Sequence, residues 1–200
     1  MGTRRARAGV LVIEIAVAGT ADLDWIAGIE NRNYGPMRAV APARLREWHE
    51  ANPLGFLIVR DGGERCGHAT ILPLKPAMLR ALMAGAKNEN DIRGEDIVSP
   101  HDRSSVRSLY IESVIAESIE IFGEMVRTFN RHVARLAQPA LLEQVVVCPL
   151  TPAGKLLVRN LGFARVAESP FFAARYAELV GRTTSIRTAL GAQRRSAADV

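Results

Sequence analysis

Lysine is scarce in this sequence. Only Lys75, Lys87 and Lys155 occur among its 26 basic residues; the rest are arginine. In so alanine-rich a chain, genome composition has as much claim on that bias as phosphate binding. Cysteine is scarce too. Cys66 and Cys148 lie far apart, with no CxxC pair and no histidine spacing that completes a zinc set, which excludes a disulfide scaffold or a zinc module. One disulfide or two thiols in a reducing cytosol remain. The second is the expectation, and a cytoplasmic location goes with it. No run of about 18 apolar residues occurs, so no membrane-spanning helix is expected. The run Val10 to Ala18 behind Arg4, Arg5 and Arg7 faintly copies a secretory signal. Glu14 in its middle fits better a strand with one side in water.

What is present suits one globular domain. The 200 residues are 48% hydrophobic and 24% charged, which excludes a disordered or collagen-like chain. The net charge of +5 points toward nucleic acid, but its placement does not. Arginines without acids open the chain, and Arg182, Arg187, Arg194 and Arg195 face only Asp199 at its end, so residues 8–181 carry a net −1. The expected organisation is one domain over 8–179, with basic, flexible ends at 1–7 and 180–200. A nucleic-acid role using those ends is the weakest of the functional readings.

Val10 to Val17 is β-branched and reads as a strand. Leu23, Ile26 and Ile29 recur at helical spacing, and a second short helix carries Leu45 and Trp48. Phe56 to Arg60 and Cys66 to Leu74 form a hairpin about Gly62-Gly63. Met78 to Met83 predicts a short helix, and the polar stretch 86–104 a loop. Val106 to Ala116 is the strongest central strand: Leu109, Ile111 and, after a pause at Ser113, Ile115 alternate with Tyr110, Glu112 and Val114. Ile119 to Ala137 is helical, with Phe122, Val126, Phe129, Val133 and Leu136 on one stripe. Arg127, Arg131 and Arg135 form a second stripe, read as a solvated face. Glu143 to Cys148 is a strand. Thr151-Pro152 caps a helix that Gly162 ends, and Phe163–Ala167 with Phe171–Ala177 are the closing strands. A strand–helix–strand crossover among hairpins predicts an α+β fold. Its sheet is mixed and mostly antiparallel, with helices on both faces.

This order, with Ala153 to Val166 reading as a helix followed by Leu161-Gly162-Phe163 and a strand, resembles the GCN5-related N-acetyltransferase superfamily. The hairpin Phe56 to Leu74 and the strand Leu109 to Ile115 add to the resemblance, which spans roughly residues 10–177. It implies a cleft between two splayed strands, with acetyl-CoA or another acyl-CoA as co-substrate and its diphosphate over the start of the long helix. It also implies direct acyl transfer to a small amine or amino-acid-like acceptor, with no membrane partner; a homodimer stays open. The chain departs from the pattern where a glycine-rich loop with a basic residue would wrap the diphosphate. Ala116 to Glu124 keeps only Gly123 and holds Glu117, Glu120 and Glu124. Either the loop is shortened, with Ser118 as helix cap, or the pocket no longer takes coenzyme A. The alternative reading is therefore a protein of this fold that binds a ligand or partner without catalysis.

Amine acylation needs a proton acceptor. Glu112 is the first candidate, against a solvent-facing or ion-paired strand residue. Tyr110, on the same face by alternation, would orient the amine or acyl group, or simply pack its ring. The resemblance places Ile115, Ser118, Gly123, Asn160 and Lys155 along the co-substrate; a plain helix face equally explains Lys155. It puts Val158 where a tyrosine acid often stands, with Tyr176 as a weak substitute. Cys148 ends a strand near the thioester. His49, His68, His101 and His132 lack motif context, and His68 reads as a core histidine. Trp25, Tyr34, Trp48 and the loop 86–104, with Glu89, Asp91, Glu95 and Asp96, would shape acceptor specificity. No metal site is expected.

Overall fold

The computed structural model describes residues 12–182. Strand β1 (Ile13–Val17) leads into helices α1 (Leu23–Tyr34) and α2 (Pro42–Ala51). The hairpin β2 (Phe56–Asp61) and β3 (Glu64–Leu72) follows, then α3 (Pro76–Met83). Next come β4 (Ser108–Ala116), α4 (Ile119–Leu136), β5 (Gln144–Val147), α5 (Pro152–Asn160), β6 (Ala164–Arg165) and β7 (Phe172–Arg175). All seven strands join one sheet in the order β1-β2-β3-β4-β5-β7-β6. Only β4 and β5 are parallel, because α4 carries the chain back across the sheet between them. The mixed, mostly antiparallel α+β architecture matches the expectation.

Local chemistry accounts for the joints. Gly62 and Gly63 have φ of +58° and +88°, as the tight turn between β2 and β3 requires. Ser118 Oγ accepts the Ile121 N–H at 3.3 Å and caps α4. Thr151 Oγ1 accepts the Gly154 N–H at 3.0 Å and caps α5, with Pro152 in the first turn. Gly67 lets β3 approach β4 closely: a Cβ there would stand 2.8 Å from the Ile115 carbonyl oxygen. Asp22, just before α1, ties the helix to the hairpin, accepting Arg60 Nη2 at 2.7 Å and Arg65 Nε at 2.8 Å. Burial alone would raise its pKa. The hydrogen bonds from Arg65, the Gly19 N–H and Arg60 outweigh it and hold the carboxyl below its usual range.

Strand alternation builds two cores. Leu57, Val59, Leu109 and Val145 face α4, with its Met125, Val133 and Leu136. Phe56, Ile58, Tyr110 and Val146 face α1 and α2, where Ile26, Leu45 and Trp48 are fully buried. Glu14 lies exposed on the edge strand β1.

Two boundaries differ from the sequence reading, and part of it cannot be compared. Residues 10 and 11 of the expected first strand lie outside the described residues, as do the ends 1–7 and 183–200. Strand β7 stops at Arg175, and residues 176–182 are helical, with Leu179 packed into the core. The stretch 86–104 is not open. It forms short 3-10 turns and buries Ile92, Ile97 and Val98. Trp48 Nε1 donates to the Ile92 carbonyl at 3.0 Å, and Asn52 Nδ2 to the Val98 carbonyl at 2.8 Å. Those apolar residues are too irregularly spaced for a periodic signal.

Candidate functional site

Strands β4 and β5 part company in mid-sheet. They pair from Ser108–Gln144 to Ile111–Val147; then β5 ends while β4 runs on to Ala116. The wedge between them opens a cleft of about 190 Å³, roofed by α4 and α5. Its walls are apolar except for Tyr34, Glu112, Cys148 and Thr151. Beside the wedge β4 carries a bulge. Thr70 of β3 faces Ser113 and the next residue, Ile71, faces Ile111, so Glu112 has no partner across the ladder. The bulge shifts the alternation: Ser113 reaches α1, its Oγ 3.2 Å from the Tyr34 hydroxyl, and Val114 turns to the cleft. The pause at Ser113 in the sequence is this bulge.

Behind Glu112 lies a buried acid cluster. Glu30 of α1 has no exposed surface, and its Oε1 stands 3.7 Å from Nε2 of the equally buried His68. Taken as carboxylates, neither oxygen of Glu30 nor Oε2 of Glu112 meets a donor. The two side chains adjoin, close enough for Glu112 and Glu30 to share a hydrogen bond when one of them carries a proton. Burial, with the Glu89 charge, pushes Glu30 up to about 8, against the opposing pull of the polar Ser113 and Glu112 side chains nearby. Burial and the charges of Glu30 and Glu89 raise Glu112 well above the usual carboxylate range. Glu89 is also raised by burial, partly relieved by a hydrogen bond donated by the Tyr110 hydroxyl. Tyr34 is pushed up to about 12, chiefly by burial. Burial drives His68 down to about 3, so its contact with Glu30 at neutral pH joins uncharged groups. The Cys148 thiol is raised by burial and Glu89, against Lys155 and Arg38, so it is no ready thiolate.

Of the residues singled out from sequence, Glu112, Tyr34, Cys148 and Val158 line the cleft. Tyr110 is buried on the α1 side, holding Glu89 and packing on Phe171. Ile115 is buried opposite His68, and Ser118 caps α4. Gly123 is buried within α4, and Lys155 and Asn160 are exposed on α5. None of those five lines the cleft. Tyr176 is buried in the α4-side core, outside the cleft. His49 is held by the Ala18 carbonyl, His132 is buried in α4, and His101 is exposed. Trp25 presents its ring edge-on to His68. Among the described residues, no His, Cys, Asp and Glu group could hold a metal, and no helix is long and apolar enough to cross a membrane.

Glu30 escaped the sequence reading. Its signal was available: it continues the apolar stripe of Leu23 and Ile26 at i+4, a carboxylate on the face α1 buries. Glu89 was noticed only as loop acidity.

No family model matches the chain, and no curated protein matches it in sequence. Solved structures match its fold. A chain of the NatC complex bound to Gag peptide and CoA superposes with a TM-score of 0.52 at 13% identity, over 80% of this chain and 95% of that one. An uncharacterized protein from Bacillus halodurans superposes with a TM-score of 0.51 at 10% identity, over 88% and 90%. With the β4–β5 wedge and the crossover helix, these matches define the class: the chain has the GCN5-related N-acetyltransferase fold.

Proposed function

We propose that this chain is an acyl-CoA-dependent N-acyltransferase that passes its acyl group directly to a small amine. The observation that carries the reading is the wedge, which sets a proton-accepting carboxyl, Glu112, at the edge of an apolar cleft. Beyond Ile111 the β4 main chain has no strand beside it on the β5 side, so its N–H groups are free to polarise a thioester carbonyl. Carboxylates on the α1 side favour a cationic amine, which must shed a proton to attack. Glu112 takes that proton. Burial and the neighbouring Glu30 and Glu89 raise its pKa, which makes it a stronger proton acceptor than an ordinary carboxylate once it is ionised. The C–N bond forms as the C–S bond breaks. As the amide forms its nitrogen sheds a second proton, which passes through water to the departing coenzyme A thiolate, since Val158 offers no proton where an acid would stand. Glu30 holds the other end of the shared hydrogen bond and thereby positions Glu112.

Binding of acyl-CoA without transfer is the second reading, and one observation favours it. Glu117 and Glu120 flank the N-terminus of α4, where the fold would receive the diphosphate. Each carboxylate at contact distance would oppose an anion by about 1 kcal/mol in water. A thermal-shift titration tests what the two readings share. Acetyl-CoA at 100 times its Kd stabilises the fold by about 2.7 kcal/mol. No shift at millimolar acyl-CoA overturns both.

A further inference from the structure

We infer that the cleft takes an acyl chain of about six carbons rather than an acetyl group; this rests on the acyltransferase reading. The floor of the cleft is a cross-strand row. Val114 of β4 lies opposite Ala69 of β3, and Ala69 lies opposite Leu57 of β2. A second row, Ile111 and Ile71, runs beside it. Two strand spacings of about 4.8 Å each separate Val114 from Leu57, so the cleft runs some ~10 Å sideways from the wedge. An acetyl methyl extends only one C–C bond of about 1.5 Å past the carbonyl. It would leave most of that floor uncovered.

Chemistry along the floor selects hydrocarbon. The polar lining, Glu112, Cys148, Thr151 and Tyr34, comes from the wedge, the chain just after β5 and α1. At the β2–β3 end the walls are Leu57, Ala69 and Ile71 under Met125 and Phe129, and the strand main chain there is spent on sheet pairing. The pantetheine arm, with its amides, would lose hydrogen bonds in that part, whereas an alkyl chain loses none. An apolar cavity of about 150 Å³ stays dry and accepts a six-carbon hydrocarbon. The whole cleft, wedge included, measures about 190 Å³, so beside the thioester it has room for a hydrocarbon of no more than about that size. Ala69 keeps it open, because any longer side chain at that position would stand in the row.

The test is a chain-length series of acetyl-, butyryl-, hexanoyl- and dodecanoyl-CoA, measured as Kd and as kcat/KM with a fixed amine. The expected gain is about fourfold per added methylene, up to hexanoyl, with a fall at dodecanoyl. Ala69→Leu lowers the hexanoyl-to-acetyl ratio at least about tenfold, and Leu57→Ala moves the optimum to longer chains. Should either variant fail to fold, the wild-type series decides alone. Acetyl-CoA equal to or better than hexanoyl-CoA overturns the chain-length inference and leaves the acyltransferase reading standing. Absence of binding by every member overturns both.

Discussion

Glu112→Gln lowers kcat/KM by about 10²–10⁴-fold and leaves the Kd for acyl-CoA within about twofold. Glutamine keeps the shape of the side chain and can still bond to Glu30, but cannot accept the proton of an ammonium. The loss therefore falls on kcat. The pH dependence follows from the same pair. Glu30, raised to about 8, and Glu112, raised well above the carboxylate range, titrate together. Wild-type kcat/KM thus climbs on the alkaline side of neutrality rather than reaching its plateau near pH 5. Glu30→Gln removes a like charge from beside Glu112 and moves that climb to lower pH. The neighbours facing the pair are Tyr34 of α1, His68 of β3, Glu89 and Tyr110. At neutral pH His68 and both tyrosines are uncharged, and Glu89, itself raised by burial, is the remaining carboxyl that faces the pair. Unchanged turnover in Glu112→Gln removes it as the base.

Glu30→Gln also makes the fold more stable at pH 8, by a few kcal/mol. A carboxyl whose folded pKa is about 8, against an ordinary value of 4.5, holds its proton in the fold after the unfolded chain has lost it. Its contribution is fully present below pH 4.5 and is lost as pH rises to about 8, at roughly 1.4 kcal/mol per pH unit. His68 works in the opposite direction. With a folded value near 3 against 6.5, it stays neutral in the fold, so its contribution is present above pH 6.5 and is lost as pH falls toward 3. Glu112 and Glu89, also raised, add to the alkaline loss, and His132, lowered to about 4, adds to the acid loss, so stability falls from weakly acidic pH toward pH 8. Denaturant melts of wild type and Glu30→Gln from pH 4 to 9 read both. Wild-type stability that rises from pH 5 to 8, or a variant no more stable at pH 8, contradicts the buried pair.

The crossover from β4 through α4 to β5 was legible in the sequence because each element carries its own signal. Leu109 to Ile115 alternates, the α4 stripe keeps helical spacing, and Ser118, Thr151-Pro152 and Gly162 mark ends. Glu112 was legible as a carboxylate within a strand bound for burial. The bulge that aims it was not, since a single extra residue shows in sequence only as the stutter at Ser113. Neither was the pairing of Glu112 with Glu30. That contact joins α1 to β4 across 82 positions and depends on how the helix rolls onto the sheet. The anchoring of residues 86–104 was hidden for a similar reason: Ile92 and Val98 meet Trp48 and Asn52 through main-chain carbonyls, which no side-chain pattern reports. The acidic start of α4, by contrast, was visible at once as the one place where the charge pattern disagrees with a diphosphate site.

Acyl transfer across the β4–β5 wedge is read from its products. Purified protein is incubated with hexanoyl- or acetyl-CoA and a panel of small primary amines at pH 8. Free coenzyme A thiol and acylated amine are quantified together, by thiol titration and mass spectrometry. Equal amounts of thiol and N-acyl product are expected, both requiring the amine and both falling at least about 100-fold in Glu112→Gln. Thiol release without acylated amine, or no release from a protein that binds acyl-CoA, contradicts acyl transfer.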